Sequence, residues 1–128
     1  MSRPKMNVPY TRSEIQVMCG GESQTYLPQK NKIILAGCFT VEKMNPAAPK
    51  EIQAGKAPKV ITKAELLSQQ PNTRFPVFLK QCRSDRLYFF KGYFKFKSMS
   101  KKPRVIANAE ARSGRKNELS YVITLEPA

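Results

Sequence analysis

The segment RLYFFKGYFKFKSMSKKPR, residues 86–104, contains six aromatic and seven basic side chains and no acidic one. Aromatic rings stack on nucleic-acid bases, and lysine and arginine bind phosphates. Aromatic residues of a strand are also common in protein cores. Because strand residues alternate between two faces, both roles fit one strand: Phe94 and Phe96 are predicted to point inward, and Lys95 and Lys97 outward.

Basic residues dominate the chain and concentrate in its C-terminal part. The 128 residues include 23 Lys and Arg against 9 Asp and Glu, a net charge of +14. From Lys91 to Lys116 only Glu110 is acidic, which favours a face that binds a polyanion over charge that only maintains solubility. If six to eight of these cations contact phosphates, log K should fall against log salt with a slope of about −5 to −7. The phosphate-binding candidates are Arg12, Lys95, Lys97, Lys101, Lys102, Arg104, Arg112, Arg115 and Lys116.

Several kinds of enzyme are excluded by composition. The chain has no histidine, so a Cys–His pair, a serine triad and a histidine base cannot form within it. Cys19, Cys38 and Cys82 are far apart and predict reduced thiols rather than a zinc site. The acidic residues are scattered, without a paired-carboxylate motif for metal-dependent hydrolysis. We expect no catalytic residue, no metal and no cofactor; a glycosylase-like site of one acid and one lysine is the remaining catalytic alternative.

Capping signals predict three helices that position these residues. Thr11 and Thr62 each precede a glutamate by three residues, which is the capping-box spacing. Gly20-Gly21 and Pro71 provide stops for the two helices. The predicted helices span residues 12–19 and 63–70, and a third ends at Gly114.

Four strands are predicted between and after the helices. The apolar run 32–41 predicts one buried strand. Residues 74–81 and 87–98 predict a hairpin, with a β-bulge at Gly92. The β-branched stretch within 118–127 predicts the last strand.

The remaining segments complete the predicted organisation. Residues 1–9 predict a flexible N-terminal arm, and residues 45–58, which are rich in proline, predict a long loop. Residues 10–128 then form a single domain. The order of elements predicts an α+β fold: a curved, mostly antiparallel sheet or partial β-barrel with about three flanking helices.

Two stretches resemble a known family. Tyr10-Thr11-Arg12-Ser13-Glu14-Ile15 followed by Gly20-Gly21 resembles the opening Y-x-R-x-E-I-x4-G-G of SRA-like (SET-and-RING-associated-like) domains. These domains accompany nucleases in bacterial modification-dependent restriction enzymes. PVFLK and LYFFKGYFKF are similar to their central hairpin. The layout also resembles an uncharacterised fungal domain family in the stretches YLP, AGCF, NPAAP, KAELLSQQ, PVFLK, KGYF and ARSGR.

The resemblance to SRA-like domains implies a PUA-like β-barrel that recognises a modified cytosine by flipping it onto aromatic rings. A flipped base needs a stacking ring, a polar group at its hydrogen-bonding edge and cations on the backbone. Tyr88, Tyr93 and Tyr26 are the stacking candidates, with a core role as the alternative. The family's polar reader segment has no counterpart here. Asn45 and Asp85 are therefore the polar candidates, with a turn or cap role as the alternative.

These observations predict a non-catalytic module that binds DNA, double-stranded and carrying a modified base. The alternatives are an RNA-binding PUA-like domain, a DNA-processing enzyme and a protein-interaction domain. The chain has no signal peptide and no apolar run near eighteen residues, which predicts an intracellular protein without a membrane partner. The compartment is nuclear if the source is eukaryotic and cytoplasmic otherwise. The chain is either a whole protein or a module of a modification-dependent nuclease, and its oligomeric state stays open.

Overall fold

A computed structural model describes residues 3–128, which form an α+β fold with three helices and a sheet curled into a half-barrel. The main sheet has the strand order β4-β6-β7-β8-β5, and β1 pairs with β7. The β4–β6 pair is parallel and the other pairs are antiparallel. The elements are β1 (Pro9–Tyr10), α1 (Arg12–Cys19), β2 (Gln29–Lys30), β3 (Ile33–Ile34), β4 (Gly37–Thr40), β5 (Glu51–Gly55), α2 (Pro58–Ser68), β6 (Phe75–Lys80), β7 (Tyr88–Ser100), α3 (Pro103–Ser113) and β8 (Leu119–Pro127).

Each helix packs against its own apolar cluster. The largest cluster contains Leu67 of α2 with side chains of β4, β5, β6 and β8. A second cluster joins Ile15 of α1 to Phe78 and Phe90, and a third joins Ala109 of α3 to β8. Neighbouring residues of β6 and β4 enter different clusters, as strand alternation requires. The sheet therefore has apolar side chains on both faces.

The predicted bulge at Gly92 is confirmed. Pro76 pairs with Tyr93 and Phe78 pairs with Phe90, so β7 has one more residue than β6 between these pairs. Gly92 has φ 107°, a backbone conformation that favours glycine. The extra residue places Phe90 and Tyr93 in the α1 cluster, whereas Phe94 and Phe96 pack on the opposite cluster, as predicted.

The first and third helices agree with the sequence. Thr11 and Glu14 form the complete capping box, and α1 spans the predicted residues. The third helix ends at Gly114, whose left-handed conformation terminates it. Both signals are local, so they act independently of tertiary packing.

The predicted start of the second helix is wrong. Helix α2 begins at Pro58 with Ala57 as its N-cap, so Thr62 lies within the helix and caps nothing. Proline at the first helical position has a suitable φ and lacks an N–H that would need a partner. This local preference places the N-terminus of α2 close to the end of β5.

Two predicted segments are also corrected. Residues 45–58 are not one long loop, because β5 lies within them and pairs with β8. The run 32–41 is two strands: β3 forms a short hairpin with β2, and β4 joins the main sheet beside β6. The N–H of Leu35 donates to the carbonyl of Pro28, which holds the chain between the two strands.

The predicted N-terminal arm contacts the sheet at its end. The N–H of Asn7 donates to the carbonyl of Phe90, and Pro9 pairs with Phe89. Residues 1–2 lie outside the described part of the chain. The pairing fixes the entry of α1 beside the start of β7.

Candidate functional site

A cleft lies between the loop 22–26, strand β4 and the beginning of α2, and it has two adjoining lobes. The Arg12 lobe, of about 490 Å³, is bounded by Arg12, Ser13, Ser23 and Tyr88. The Arg115 lobe, of about 570 Å³, is bounded by Phe39, Met44, Asn45, Val60 and Arg115, with Lys59 and Arg83 also lining it. Tyr26, Cys38 and Thr40 line both lobes, with Gln24 and Thr25.

Among residues 3–128, the charged side chains that line the cleft are all positive. Arg12 lines one lobe, and Lys59, Arg83 and Arg115 line the other. Among residues 3–128, no aspartate or glutamate lines either lobe. The walls therefore favour an anionic ligand.

Arg12 presents a fixed charge at one end of the cleft. Its Nη2 donates to the carbonyl oxygens of Glu22 and Thr25, each at 3.0 Å. Its Nη1 is buried and has no hydrogen-bond partner within residues 3–128. No carboxylate of the described chain lies within ion-pair distance of Arg12. A buried guanidinium nitrogen without a partner is unusual, and a bound anion is one way to satisfy it.

Arg115, a predicted phosphate contact, lies in the wall of the other lobe. Its Nη1 donates to the carbonyls of Gln53 at 2.9 Å and Met44 at 3.3 Å. The carboxylate of Glu118 lies 4.0 Å from its Nε, and the Arg115 side chain is 11% exposed. Burial lowers the pKa of Arg115. This arginine therefore joins the loop after β4 to β5, in addition to any role in binding.

Tyr26 lies where the lobes meet. Its hydroxyl donates to the carbonyl of Val60 at 2.7 Å, and its ring packs edge-on against Phe39 at 6.4 Å between centroids. Burial raises the pKa of the Tyr26 hydroxyl above its usual range. The hydrogen bond to α2 fixes the ring beside the cleft.

The structure separates the two hairpin tyrosines. Tyr88 lines the Arg12 lobe, with Lys80 Nζ 5.1 Å from its ring centroid. Tyr93 lines neither lobe of the cleft; the Arg74 guanidinium lies 4.1 Å from its ring centroid and Phe90 packs at 5.4 Å. Of the two, Tyr88 has the position from which a ring can contact a ligand in the cleft.

The polar candidates are both engaged with the backbone. Asn45 is 6% exposed; its Nδ2 donates to the carbonyl of Thr40 at 3.0 Å and its Oδ1 accepts from Gln53 N at 2.7 Å. Asp85 Oδ2 accepts from Cys82 N at 2.9 Å, within the turn between β6 and β7. These are the turn and cap roles named as alternatives. Base reading by either side chain stays a prediction.

The outer phosphate candidates divide into paired and unpaired cations. Lys95 lies 3.6 Å from Glu126, and Arg112 forms a bidentate ion pair with Glu51. The remaining candidates are exposed and make no ion pair within residues 3–128: Lys97, Lys101, Lys102, Arg104 and Lys116. Five cations of the C-terminal part are therefore free to contact phosphates.

Sequence reasoning missed most of the residues that line the cleft, among them Cys38, Thr40, Lys59 and Arg83. These four come from three separate segments that meet only through the sheet and the start of α2. Burial raises the pKa of the Cys38 thiol to about 12, so this thiol is protonated and unreactive at neutral pH. Only Pro58 gave a usable signal, because proline at the start of a helix would have placed Lys59 in its first turn.

Glu22 anchors the loop that carries Tyr26. Its carboxylate accepts from Lys63 Nζ at 2.6 Å and from Gln29 N at 2.7 Å. Burial raises the pKa of Glu22, but these two hydrogen bonds outweigh it and hold the pKa at about 2. The ionised carboxylate therefore ties the loop to α2.

We expect Glu22 to stabilise the fold at neutral pH and to lose this effect in acid. Because its folded pKa of about 2 lies below 4.5, the ordinary pKa of a glutamate, its contribution is present above pH 4.5 and declines as pH falls towards 2. The measurement is the difference in Tm between the wild type and Glu22→Gln across this range. The two proteins should differ most at neutral pH and converge near pH 2. A difference that does not change with pH would contradict the assignment.

Within residues 3–128, no helix is long and apolar enough to cross a bilayer, and no cluster of three or more potential metal-ligating His, Cys, Asp or Glu side chains is present. Comparisons with protein-family models, curated proteins and solved structures find no match to this chain. The case for a function therefore depends on the geometry and charge of the cleft and its surroundings.

Proposed function

We propose that this protein is a non-catalytic DNA-binding domain that takes one base, a modified cytosine, out of the duplex and into the cleft. The observation that carries the proposal is a cleft lined by cations and tyrosines; within residues 3–128, no aspartate or glutamate lines it. Each lobe has a volume within the range of small-molecule pockets. A nucleobase therefore fits by size, and the phosphates of the attached backbone fit by charge.

Tyr26, which lines both lobes, supports the stacking part of the proposal, and Tyr88 adds an aromatic wall to the Arg12 lobe. Base–aromatic stacking contributes about 1–3 kcal/mol per base. Lys80 lies over the Tyr88 ring, so a bound nucleotide would contact the opposite face or the edge of that ring. Tyr26 is held by its hydrogen bond to Val60 and needs no reordering on binding. Preorganised rings reduce the entropic cost of taking up a base.

The exposed cations supply the sequence-independent part of binding. Lys101 and Lys102 precede α3, and Lys116 follows Arg115 of the cleft wall. Contacts of such residues with phosphates position a duplex without reading its sequence. Discrimination between bases would then depend on the cleft.

An RNA-binding domain is the second candidate. The same cations and tyrosines would serve it, and contacts with the 2′-hydroxyl would distinguish it. Competition between duplex DNA and structured RNA for the same protein separates the two functions. Equal affinity for duplex DNA and structured RNA would indicate only a general affinity for polyanions.

The test is a binding panel of duplexes containing cytosine, 5-methylcytosine, 5-hydroxymethylcytosine or glucosylated hydroxymethylcytosine at one position, at fixed salt. We expect at least one modified duplex to bind about tenfold more tightly than the unmodified one, equivalent to about 1.4 kcal/mol. Fluorescence anisotropy with competitor titration provides the affinities. If every modified duplex binds as the unmodified one does, recognition of a modified base must be abandoned.

A pair of variants links binding to the cleft. Tyr88→Ala should weaken binding of the preferred duplex, because Tyr88 lines the Arg12 lobe. Tyr93→Ala is the matched control, since Tyr93 belongs to the same apolar cluster but lines neither lobe. Both variants lose similar packing, so a difference between them reports ligand contact rather than stability. Equal loss in both would contradict a binding role of Tyr88.

A further inference from the structure

We infer that the cleft holds a whole nucleotide, with its 5′-phosphate in the Arg12 lobe and its base in the Arg115 lobe. The inference rests on the proposed function and narrows it, because the recognised unit includes a phosphate. A nucleotide flipped from a strand, a phosphorylated strand end and a free nucleotide share this chemistry. The experiment below distinguishes these sources.

Arg12 carries a positive charge that no acid among residues 3–128 pairs with. Two backbone carbonyls fix its guanidinium through Nη2, and its buried Nη1 lacks a hydrogen-bond partner within residues 3–128. A phosphate oxygen would supply the missing acceptor and the missing negative charge.

Hydroxyl groups also line the Arg12 lobe. Ser13 and Ser23 line the Arg12 lobe, and neither side chain makes a hydrogen bond within residues 3–128. Thr25 lines the same lobe. A guanidinium accompanied by serine and threonine hydroxyls is a donor set suited to phosphate oxygens.

The two lobes differ in the charge of their arginines and in their apolar lining. Arg12 Nη1 and Arg115 Nε are both buried without a hydrogen-bond partner within residues 3–128, but Arg115 Nε lies 4.0 Å from the Glu118 carboxylate, which offsets part of its charge. Arg12 has no acid within ion-pair distance among residues 3–128. Phe39, Met44 and Val60 add apolar walls to the Arg115 lobe and are absent from the Arg12 lobe. The apolar lobe suits the faces of a base, and the polar lobe suits the phosphate.

The test compares dCMP, deoxycytidine and inorganic phosphate in titrations followed by NMR. Wild-type protein should bind dCMP at least about tenfold more tightly than either fragment, because each fragment fills one lobe only. Ser23→Asp should weaken dCMP binding by about tenfold or more, since its carboxylate repels phosphate and competes for Arg12. Asparagine has nearly the shape of aspartate without its charge, so Ser23→Asn should retain binding. Thermal unfolding of both variants verifies that the fold is intact.

The outcomes separate this inference from the proposed function. If duplex DNA binds but dCMP binds no more tightly than deoxycytidine, or Ser23→Asp and Ser23→Asn behave alike, the nucleotide inference is overturned and DNA binding stands. If dCMP binds as expected but duplexes do not, the proposed function fails and the cleft is a free-nucleotide site. Inorganic phosphate that binds as tightly as dCMP would overturn the role of the Arg115 lobe. Single strands with 5′-phosphate and 5′-hydroxyl ends show whether strand ends are preferred over internal nucleotides.

Discussion

We expect affinity for duplex DNA to fall about 500-fold as monovalent salt rises from about 50 to 200 mM, if this domain binds DNA with five cations in contact with phosphates. Each neutralised phosphate releases condensed counterions, and five contacts give a slope of log K against log salt of about −4.5. This slope is shallower than the sequence alone suggests, because Lys95 and Arg112 are paired with acids and Arg115 is buried in the cleft wall. Anisotropy titrations at four salt concentrations provide the measurement.

Charge-matched double variants identify the contacts. Lys101→Gln with Lys102→Gln should make the slope less steep by about 1.8, since each lost contact contributes about 0.9. Lys30→Gln with Lys50→Gln removes the same charge at exposed lysines that lie outside the cleft and outside the basic stretch from Lys91 to Lys116. This control should leave the slope unchanged. A wild-type slope near −1 would contradict a broad phosphate footprint. Equal changes in both double variants would show that net charge alone governs binding.

Asn45→Ala lowers the free energy of unfolding by about 2–3 kcal/mol, the cost of leaving a buried backbone donor without an acceptor. Strand β5 lies at an edge of the sheet, and the N–H of Gln53 donates to Asn45 Oδ1 at 2.7 Å. Alanine removes this acceptor and also the bond from Nδ2 to Thr40. Urea denaturation followed by circular dichroism gives the free energy.

Asn72→Ala is the control for the Asn45 variant. Asn72 is exposed, and its side chain makes no hydrogen bond in the described part of the chain, so its replacement should change stability by less than about 0.5 kcal/mol. A loss at Asn45 no larger than that at Asn72 would mean that the edge of β5 is satisfied in another way. In that case Asn45 would become a stronger candidate for reading a base.

The sequence predicted those parts of the fold that depend on local signals. The capping box at Thr11, the stop at Gly114 and the bulge at Gly92 each depend on neighbouring residues, and each is confirmed. Strand β5 was missed because its pattern is short, lies among prolines and is stabilised by pairing with β8, about half the chain away. At α2 two signals competed, and proline at the first position prevailed over the Thr62–Glu65 spacing.

The candidate site was predictable only in part. Arg12, Tyr26 and Tyr88 were named from the sequence, and the structure brings all three to one lobe of the cleft. Arg115 was predicted only as a phosphate contact of the basic C-terminal part. The left-handed turn at Gly114 instead turns the chain back, and Arg115 reaches the carbonyls of β5 and the preceding loop. Such a contact depends on two distant segments and leaves no pattern in either.

The extra residue in β7 also sets the phase of the strand. Before Gly92, even-numbered positions such as Phe90 belong to the α1 cluster, and from Gly92 to the next register shift, between Phe96 and Ser98, even-numbered positions such as Phe94 belong to the opposite cluster. One continuous strand thus packs against both clusters, and its even-numbered positions change cluster at Gly92. Removal of a single residue here would exchange the faces of Phe94 and Phe96. A change of one residue between Phe90 and Phe96 would therefore need a second change in the same stretch, so that the Tyr88 end and the Phe96 end of the strand both keep their clusters.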